Sequence, residues 1–133
     1  MKHEEKMKHE EKMKHEDITE KIIKAAYTVH NTLGYGFFEK VYENAMIIEL
    51  KNELKNIGIN GNNVKNQVPI KVYYQEKIVG DYICDILVND KVIVEIKAVE
   101  TINKIHELQL VNYLAATNIE VGILLNFGPS LQN

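Results

Sequence analysis

The chain has 133 residues, 45% of them hydrophobic and 26% charged, a composition typical of one folded domain with a real core. Its formal net charge is −3, and all 16 basic residues are lysines. Surfaces that bind duplex nucleic acid usually carry a basic excess with arginine forks, so composition gives no general electrostatic support for tight nucleic-acid binding. No apolar run approaches the roughly 20 residues of a membrane span, so a membrane is excluded as a partner.

The single cysteine, Cys84, excludes an internal disulfide. It lies in an apolar run, which predicts a buried and inert thiol rather than a nucleophile. The first residues lack the apolar segment of a secretory signal. These features together predict a location in the reducing cytoplasm.

Residues 1–17 repeat the hexapeptide MKHEEK. Glu-to-Lys pairs at i,i+4 favour a helix there, but the tract has almost nothing to bury. We therefore expect residues 1–16 to be a charged extension, mobile or helical, ahead of a single domain over residues 17–133. The repeat also spaces His3, His9 and His15 six residues apart, which rotates each by about 600° on a helix. The three rings would not share a face, which disfavours a metal site in the repeat.

The first helix of the domain is predicted to begin at Asp17, because Asp17 and Glu20 resemble a capping box. Its apolar stripe consists of Ile18, Ile22, Ala25, Ala26, Val29 and Leu33. His30 lies beside this stripe, where a structural histidine is the expected interpretation. The helix should end at the glycines of residues 34–36.

A second helix is predicted from about Phe37 to Asn56. Its buried stripe is predicted to be Phe38, Val41, Ala45 and Ile48. Glu39 and Tyr42 lie about one turn apart near its N-terminus, where the macrodipole alone would favour a carboxylate.

The centre of the sequence is predicted to be a strand over residues 67–74 followed by a hairpin over residues 78–97. The second strand of the hairpin carries Glu95 and Lys97 on one face, inside an apolar run. Ionisable groups in such a run are costly to bury unless they are paired or bind a metal. This pair is therefore the first candidate for a functional site.

Asp85 joins the face of Glu95 only if the hairpin loop has an odd number of residues. We predict a three-residue loop, residues 89–91, which pairs Val88 with Val92 and Asp85 with Glu95. A two-residue turn would send the two carboxylates to opposite faces. The opposite face is then predicted to be core, and it consists of Cys84, Ile86, Val88, Val92, Val94 and Ile96.

A third helix is predicted near Lys104–Thr117, and a last strand over residues 119–127 that ends before Pro129. The order ααβββαβ indicates an α/β (α+β) fold with a mixed sheet flanked by helices. The chain stops at Asn133, soon after this strand, and a missing edge element would leave the sheet open or favour a homodimer.

The third helix presents one polar stripe, made by His106, Gln109 and Tyr113. A helix that folds back after the strand of Lys97 would bring this stripe near Glu95.

The two carboxylates of Asp85 and Glu95 suit a hard divalent cation, with the backbone carbonyl of Ile96 as a further ligand. Lys97 would position or deprotonate a metal-bound water, or neutralise developing charge on a phosphate. The alternative is a surface salt bridge between Lys97 and nearby acids.

These motifs resemble the PD-(D/E)XK nuclease superfamily. The matching residues are Asp85, Glu95-Ile96-Lys97 and Gln109-Leu110-Val111-Asn112-Tyr113, the last of which is typical of the RecB-like branch. Gly36-Phe37-Phe38-Glu39-Lys40-Val41-Tyr42 also resembles the signature of the GxxExxY protein family. The resemblance covers about residues 17–128. One departure is Cys84, which stands where the motif has a proline before the acid.

The resemblance implies a restriction-endonuclease-like core with Mg²⁺ or Mn²⁺ near Glu39, Asp85, Glu95 and Lys97. Gln109 and Tyr113 would orient the site or its phosphate. The implied accessory residues are His30, Tyr42 and His106.

The implied activity is divalent-metal-dependent hydrolysis of phosphodiester bonds in nucleic acid, with DNA favoured over RNA. Two alternatives stay open, a catalytically silent interaction or regulatory module and a phosphodiesterase for a small nucleotide. The acidic balance and the absence of arginine favour the silent module.

Overall fold

The structure is a computed structural model that describes the backbone of residues 2–133 and the side chains of residues 15–133. The helices are α1 (Lys2–Leu33), α2 (Glu39–Lys55) and α3 (Lys104–Thr117), and the strands are β1 (Val64–Tyr74), β2 (Lys77–Val88), β3 (Val92–Lys97), β4 (Val121–Phe127) and β5 (Leu131–Gln132). A 3₁₀ turn at Gly61–Asn63 precedes β1. The predicted order ααβββαβ is confirmed, with β5 added at its end.

The strands form one mixed sheet in the order β1-β2-β3-β4-β5. β3 and β4 run parallel and the other neighbours are antiparallel, which confirms the predicted mixed sheet. The expectation of an open edge at β4 is wrong. The chain reverses near Pro129, and β5 pairs Leu131 with Phe127, so β1 and β5 are the edges.

Two apolar layers sandwich the sheet. One layer packs α1 and α2 on the sheet, and the other packs α3 on the opposite face. The predicted stripe of α1 is confirmed, because Ile18, Ile22, Ala25, Ala26 and Val29 are buried and Leu33 packs against them. The predicted helix start at Asp17 is wrong. The helix passes through Asp17 without a break, since residues 2–17 contain no glycine or proline to interrupt it.

The predicted buried stripe of α2 is also wrong. Phe38 is 88% exposed and Ile48 is 65% exposed. The buried residues are instead Tyr42, Glu43, Met46, Leu50 and Leu54. The mean direction of this face is rotated from that of the predicted one by roughly 150°. The wide spread of apolar residues around α2 allowed either choice, and only packing against α1 and the sheet selects one.

The hairpin between β2 and β3 has the predicted three-residue loop, with Val88 paired to Val92 and Ile86 to Val94. Within this turn, Asn89 and Asp90 adopt positive φ values of 52° and 54°. The loop length and the register are those required for Asp85 and Glu95 to share a face.

The predicted face of Cys84 is wrong, although its burial is confirmed. Ile86 and Val88 pack with α1 and α2, whereas Cys84 packs on the α3 side with Leu87. In the ladder between β1 and β2, Val68 pairs with Cys84 and Asn66 pairs with Ile86, but Gln67 and Asp85 between them do not pair. Gln67 has a positive φ of 52°. This irregularity interrupts the alternation of β2 at Asp85, so Cys84 lies on the opposite face from Ile86.

Within the described part of the chain, no helix combines the length and the apolar character needed to cross a membrane.

Candidate functional site

Asp85 and Glu95 come together where β2 and β3 pair. The backbone N–H of Asp85 donates to Glu95 Oε1 at 3.0 Å, and the backbone N–H of Ile96 donates to Asp85 Oδ2 at 2.7 Å. Each carboxylate is thus fixed by a backbone donor of the neighbouring strand. Glu95 is buried, with 6% of its surface exposed, and Asp85 is half-buried.

The close approach of two carboxylates in a desolvated place changes their titration. Burial, followed by the charge of Asp85, raises the pKa of Glu95 to about 8, against a smaller opposite effect of Lys97. Burial also raises the pKa of Asp85, and the charges of Glu43 and Glu39 act in the same direction. A cation placed near the pair would remove the electrostatic cost of having both groups ionised.

Asp85 also lines a cavity of about 500 Å³ at the N-terminal end of α2. Its lining residues are Phe37, Phe38, Glu39, Lys40, Glu43, Asp85, Ile96 and Ala98. Glu39 is exposed at this cavity, and its charge contributes to the raised pKa of Asp85. The structure therefore places Glu39 on the same cavity as Asp85.

Glu43 is a residue of this cavity that sequence reasoning missed. Its side chain is buried, with 4% of its surface exposed, and it accepts hydrogen bonds from Lys40 Nζ at 2.8 Å and Gln67 Nε2 at 2.7 Å. Its charge raises the pKa of Asp85 more than that of Glu39 does. The sequence feature that could have identified Glu43 is its position one turn after Glu39, which puts both carboxylates on one side of the helix.

Lys97 is the last residue of β3 and is half-buried. The segment after it is clamped by Asn126 of β4, whose side chain accepts from Val99 N at 3.0 Å and donates to Val99 O at 2.9 Å. Asn126 is buried, and sequence reasoning did not single it out. Among the described side chains, Lys97 takes part in no salt bridge, so the surface ion pair considered as an alternative is not observed.

Of the predicted polar stripe of α3, Tyr113 packs into the apolar layer between the helix and the sheet, whereas His106 and Gln109 are only partly buried. Tyr113 is buried, and its pKa is raised by burial and then by the nearby charges of Glu95 and Asp85. Gln109 instead lines a groove on the α3 side, which it shares with Tyr82 and Tyr113. His106 belongs to the start of α3, because its Nδ1 accepts from the backbone N–H of Asn103 at 3.3 Å.

The remaining accessory residues make structural contacts. The hydroxyl of Tyr42 donates to Gly34 O at 2.6 Å, and its ring stacks on Phe127 at 4.7 Å. His30 Nε2 donates to Gly128 O at 2.8 Å, as expected of a structural histidine. Burial, followed by the charge of Glu95, raises the pKa of the Cys84 thiol to about 12, which fits the prediction of an inert thiol.

The predicted metal ligands are only partly assembled. In the described residues, no group of three or more His, Cys, Asp or Glu side chains stands close enough to hold a metal ion, so Glu39 does not join Asp85 and Glu95 in one cluster. His3 and His9 of the repeat lie outside the described side chains. Asp85 and Glu95 nonetheless fit a Mg²⁺ or Mn²⁺ ion chemically. They are hard oxygen donors, and Mg²⁺ typically takes one or two carboxylates and completes its shell with water and phosphate.

Comparison with known proteins adds one result. A family model described as the PD-(D/E)XK nuclease superfamily matches residues 16–133. No curated protein and no solved structure matches the chain.

Proposed function

Since the chain belongs to the PD-(D/E)XK nuclease superfamily, we propose that it is a divalent-metal-dependent nuclease that hydrolyses phosphodiester bonds in DNA, or alternatively in RNA. The observation that carries this proposal is the fixed pair of Asp85 and Glu95, with Glu95 two residues before Lys97 on β3. Within the superfamily we assign it to the GxxExxY proteins and the RecB-like branch, on the motifs from Gly36 to Tyr42 and from Gln109 to Tyr113.

Asp85, Glu95 and the backbone carbonyl of Ile96 would hold Mg²⁺ or Mn²⁺. The bound cation would supply charge stabilisation for the phosphate under attack. The hydrogen bonds that fix the two carboxylates support this role, because a site held in place before binding needs little rearrangement. Glu39, on the wall of the cavity, would act on the cation through a bridging water or through its negative electrostatic potential.

Lys97 supplies the positive charge of the proposed site. Its ammonium would stabilise the developing negative charge of the phosphate, or its neutral amine would take a proton from the attacking water. Tyr113 would orient the site from α3, which its electrostatic coupling to Glu95 and Asp85 supports. Gln109, which lines the adjoining groove together with Tyr113, would help to orient the site from the same helix.

The test uses the full chain with single-stranded DNA, double-stranded DNA and RNA, in Mg²⁺, Mn²⁺ or EDTA. Cleavage is expected with a divalent cation, and Lys97→Ala, Asp85→Asn and Glu95→Gln should each lower it by at least about 100-fold. Lys91→Ala is the matched control, because Lys91 is exposed in the turn at the other end of β3. Cleavage that persists in all three site variants would come from a contaminating nuclease and would contradict the proposal.

The same assay addresses the alternative of a silent nuclease-fold module. That alternative predicts no cleavage of any substrate, small nucleotides included, and no binding of Mn²⁺ that depends on Glu95. Binding of Mn²⁺ to the native chain that Glu95→Gln abolishes would favour the metal site even before a substrate is known.

A further inference from the structure

A large apolar surface lies beside α3, away from the cavity at α2. A groove of about 790 Å³ runs between α3 and the hairpin of β1 and β2. Four of its lining side chains are 46 to 65% exposed: Tyr73, Tyr82, Ile105 and Leu108. Two neighbouring side chains are also exposed, Ile78 at 55% as the ladder partner of Tyr73 and Val111 at 58% one turn after Leu108. We refer to these six residues as the hairpin–helix face.

The geometry of the fold explains why this face is uncovered. α3 has 14 residues and is therefore about 21 Å long, whereas β1 has 11 residues and extends for about 37 Å. Tyr73 and Ile78 are partners in the ladder of β1 and β2, close to the turn of that hairpin. Leu110 and Tyr113 are the residues of α3 that are buried against the sheet, and Leu108 and Val111 are left on the solvent side of the helix.

The size of the face matches half of a stable protein interface. At about 200 Å² for a fully exposed large side chain, the six residues expose on the order of 600 Å² of apolar surface. This equals or exceeds the largest apolar patch of a typical monomer, about 300–600 Å². With the small and polar residues around it, the face approaches the roughly 800 Å² that each partner contributes to a standard interface.

The chemistry of the face selects the kind of partner. Every lining residue of the groove is uncharged at neutral pH: Val72, Tyr73, Tyr82, Ile105, Leu108, Gln109, Asn112, Tyr113, Ala115 and Ala116. A nucleic-acid strand would require cationic side chains along its phosphates. An uncharged apolar face binds best to a second apolar surface of similar size. Another copy of the same chain provides such a surface by two-fold symmetry.

The position of β1 supports the same partner. β1 is an edge strand of the sheet and borders the hairpin–helix face. A long edge strand exposes a row of backbone groups that can pair with another chain unless something covers it. We propose that two copies of the chain associate through the hairpin–helix face into a homodimer.

The test is the mass of the full chain in solution, measured by light scattering and sedimentation equilibrium in EDTA at about 1–100 μM. We expect a mass near twice 15.3 kDa at the higher concentrations. Leu108→Asp on α3 and Tyr73→Asp on β1 should each raise the dissociation constant of the dimer at least about tenfold, because each would bury a charge in the interface.

Ile48→Asp is the matched control, because Ile48 is 65% exposed on α2 and outside the face. Since all three positions are exposed, the unfolding transition of each variant should stay close to that of the native chain. A native chain that has a single-chain mass throughout the range would overturn the proposal. The proposal would also be overturned if the Ile48→Asp variant dissociated as readily as Leu108→Asp. It would likewise be overturned if the native chain were a monomer that binds single-stranded DNA and lost this binding in Leu108→Asp. The measurement uses neither metal nor substrate, so its outcome is independent of nuclease activity.

Discussion

Gln67 and Glu43 form a hydrogen bond of 2.7 Å that ties β1 to α2 beside the candidate site. Gln67 reaches Glu43 from a backbone position with a φ of 52°, at the place where the ladder between β1 and β2 is interrupted opposite Asp85. The same local irregularity therefore fixes a buried carboxylate and frees Asp85 from regular strand pairing.

Glu43→Ala should destabilise the protein by about 1–3 kcal/mol, because it removes the acceptor shared by Lys40 and Gln67 in a buried place. Glu43→Gln should cost less, since its amide oxygen can still accept one of these bonds. Urea unfolding at neutral pH measures both changes. Glu49→Ala is the control on the same helix, at a less buried position, and a loss of stability equal to that of Glu43→Ala would contradict the prediction.

The stability of the metal-free protein should fall as the pH rises. The folded-state pKa of Glu95 is raised from an ordinary 4.5 to about 8, so in this interval the folded chain holds a proton that the unfolded chain has released. Asp85, whose pKa is also raised, acts in the same direction. From about pH 5 to about pH 8 we expect a loss on the order of 2 kcal/mol, measured by urea unfolding in EDTA.

Glu95→Gln should flatten this pH profile, because it removes the group with the raised pKa. Mg²⁺ or Mn²⁺ should stabilise the native chain more at about pH 8 than at about pH 5, because metal binding competes with protons for the two carboxylates. A profile that Glu95→Gln leaves unchanged, or metal stabilisation that is larger in acid, would refute this account.

Tyr42→Phe should lower the free energy of unfolding by about 1–2 kcal/mol. The substitution removes a buried hydroxyl that donates to Gly34 O at 2.6 Å and accepts from Phe37 N at 3.3 Å, while the ring keeps its stacking on Phe127. Tyr27→Phe is a suitable control, because Tyr27 is half exposed. If the hydroxyl of Tyr42 were unimportant, thermal unfolding would show the same change in stability for the two substitutions.

Gly128→Ala should destabilise the protein by about 1–3 kcal/mol through a steric clash. A Cβ atom at Gly128 would stand 2.5 Å from the backbone oxygen of Val99, two residues beyond Lys97. We therefore also expect a disturbed exit of β3 and weaker binding of Mn²⁺. Gly61→Ala is the matched control, because a Cβ atom there meets only the flexible side chain of Lys51 at 3.3 Å. Calorimetry should separate the two variants, and comparable stabilities would rule out the clash.

The sequence predicted the central hairpin well because its information is local. Glu95 and Lys97 share a face because they are two residues apart in β3, and only an odd loop keeps Asp85 on that face. The bounds of α3 were predicted to the residue for a similar reason, since Asn103 is a strong N-cap and Asn118 ends the helix with a φ of 60°. The motifs within these elements also led to the superfamily.

The tertiary structure alone decided which face of α2 is buried, that Cys84 lies opposite Ile86, and that Glu43 joins the cavity of Asp85. Each of these depends on residues far apart in sequence, such as Gln67 with Glu43 or Asn126 with Val99. Local periodicity cannot report such contacts, because several faces of α2 are equally apolar and a single irregular residue in β1 reverses the alternation of its neighbour. The sequence thus determined the acidic pair and its register, and long-range packing determined what surrounds it.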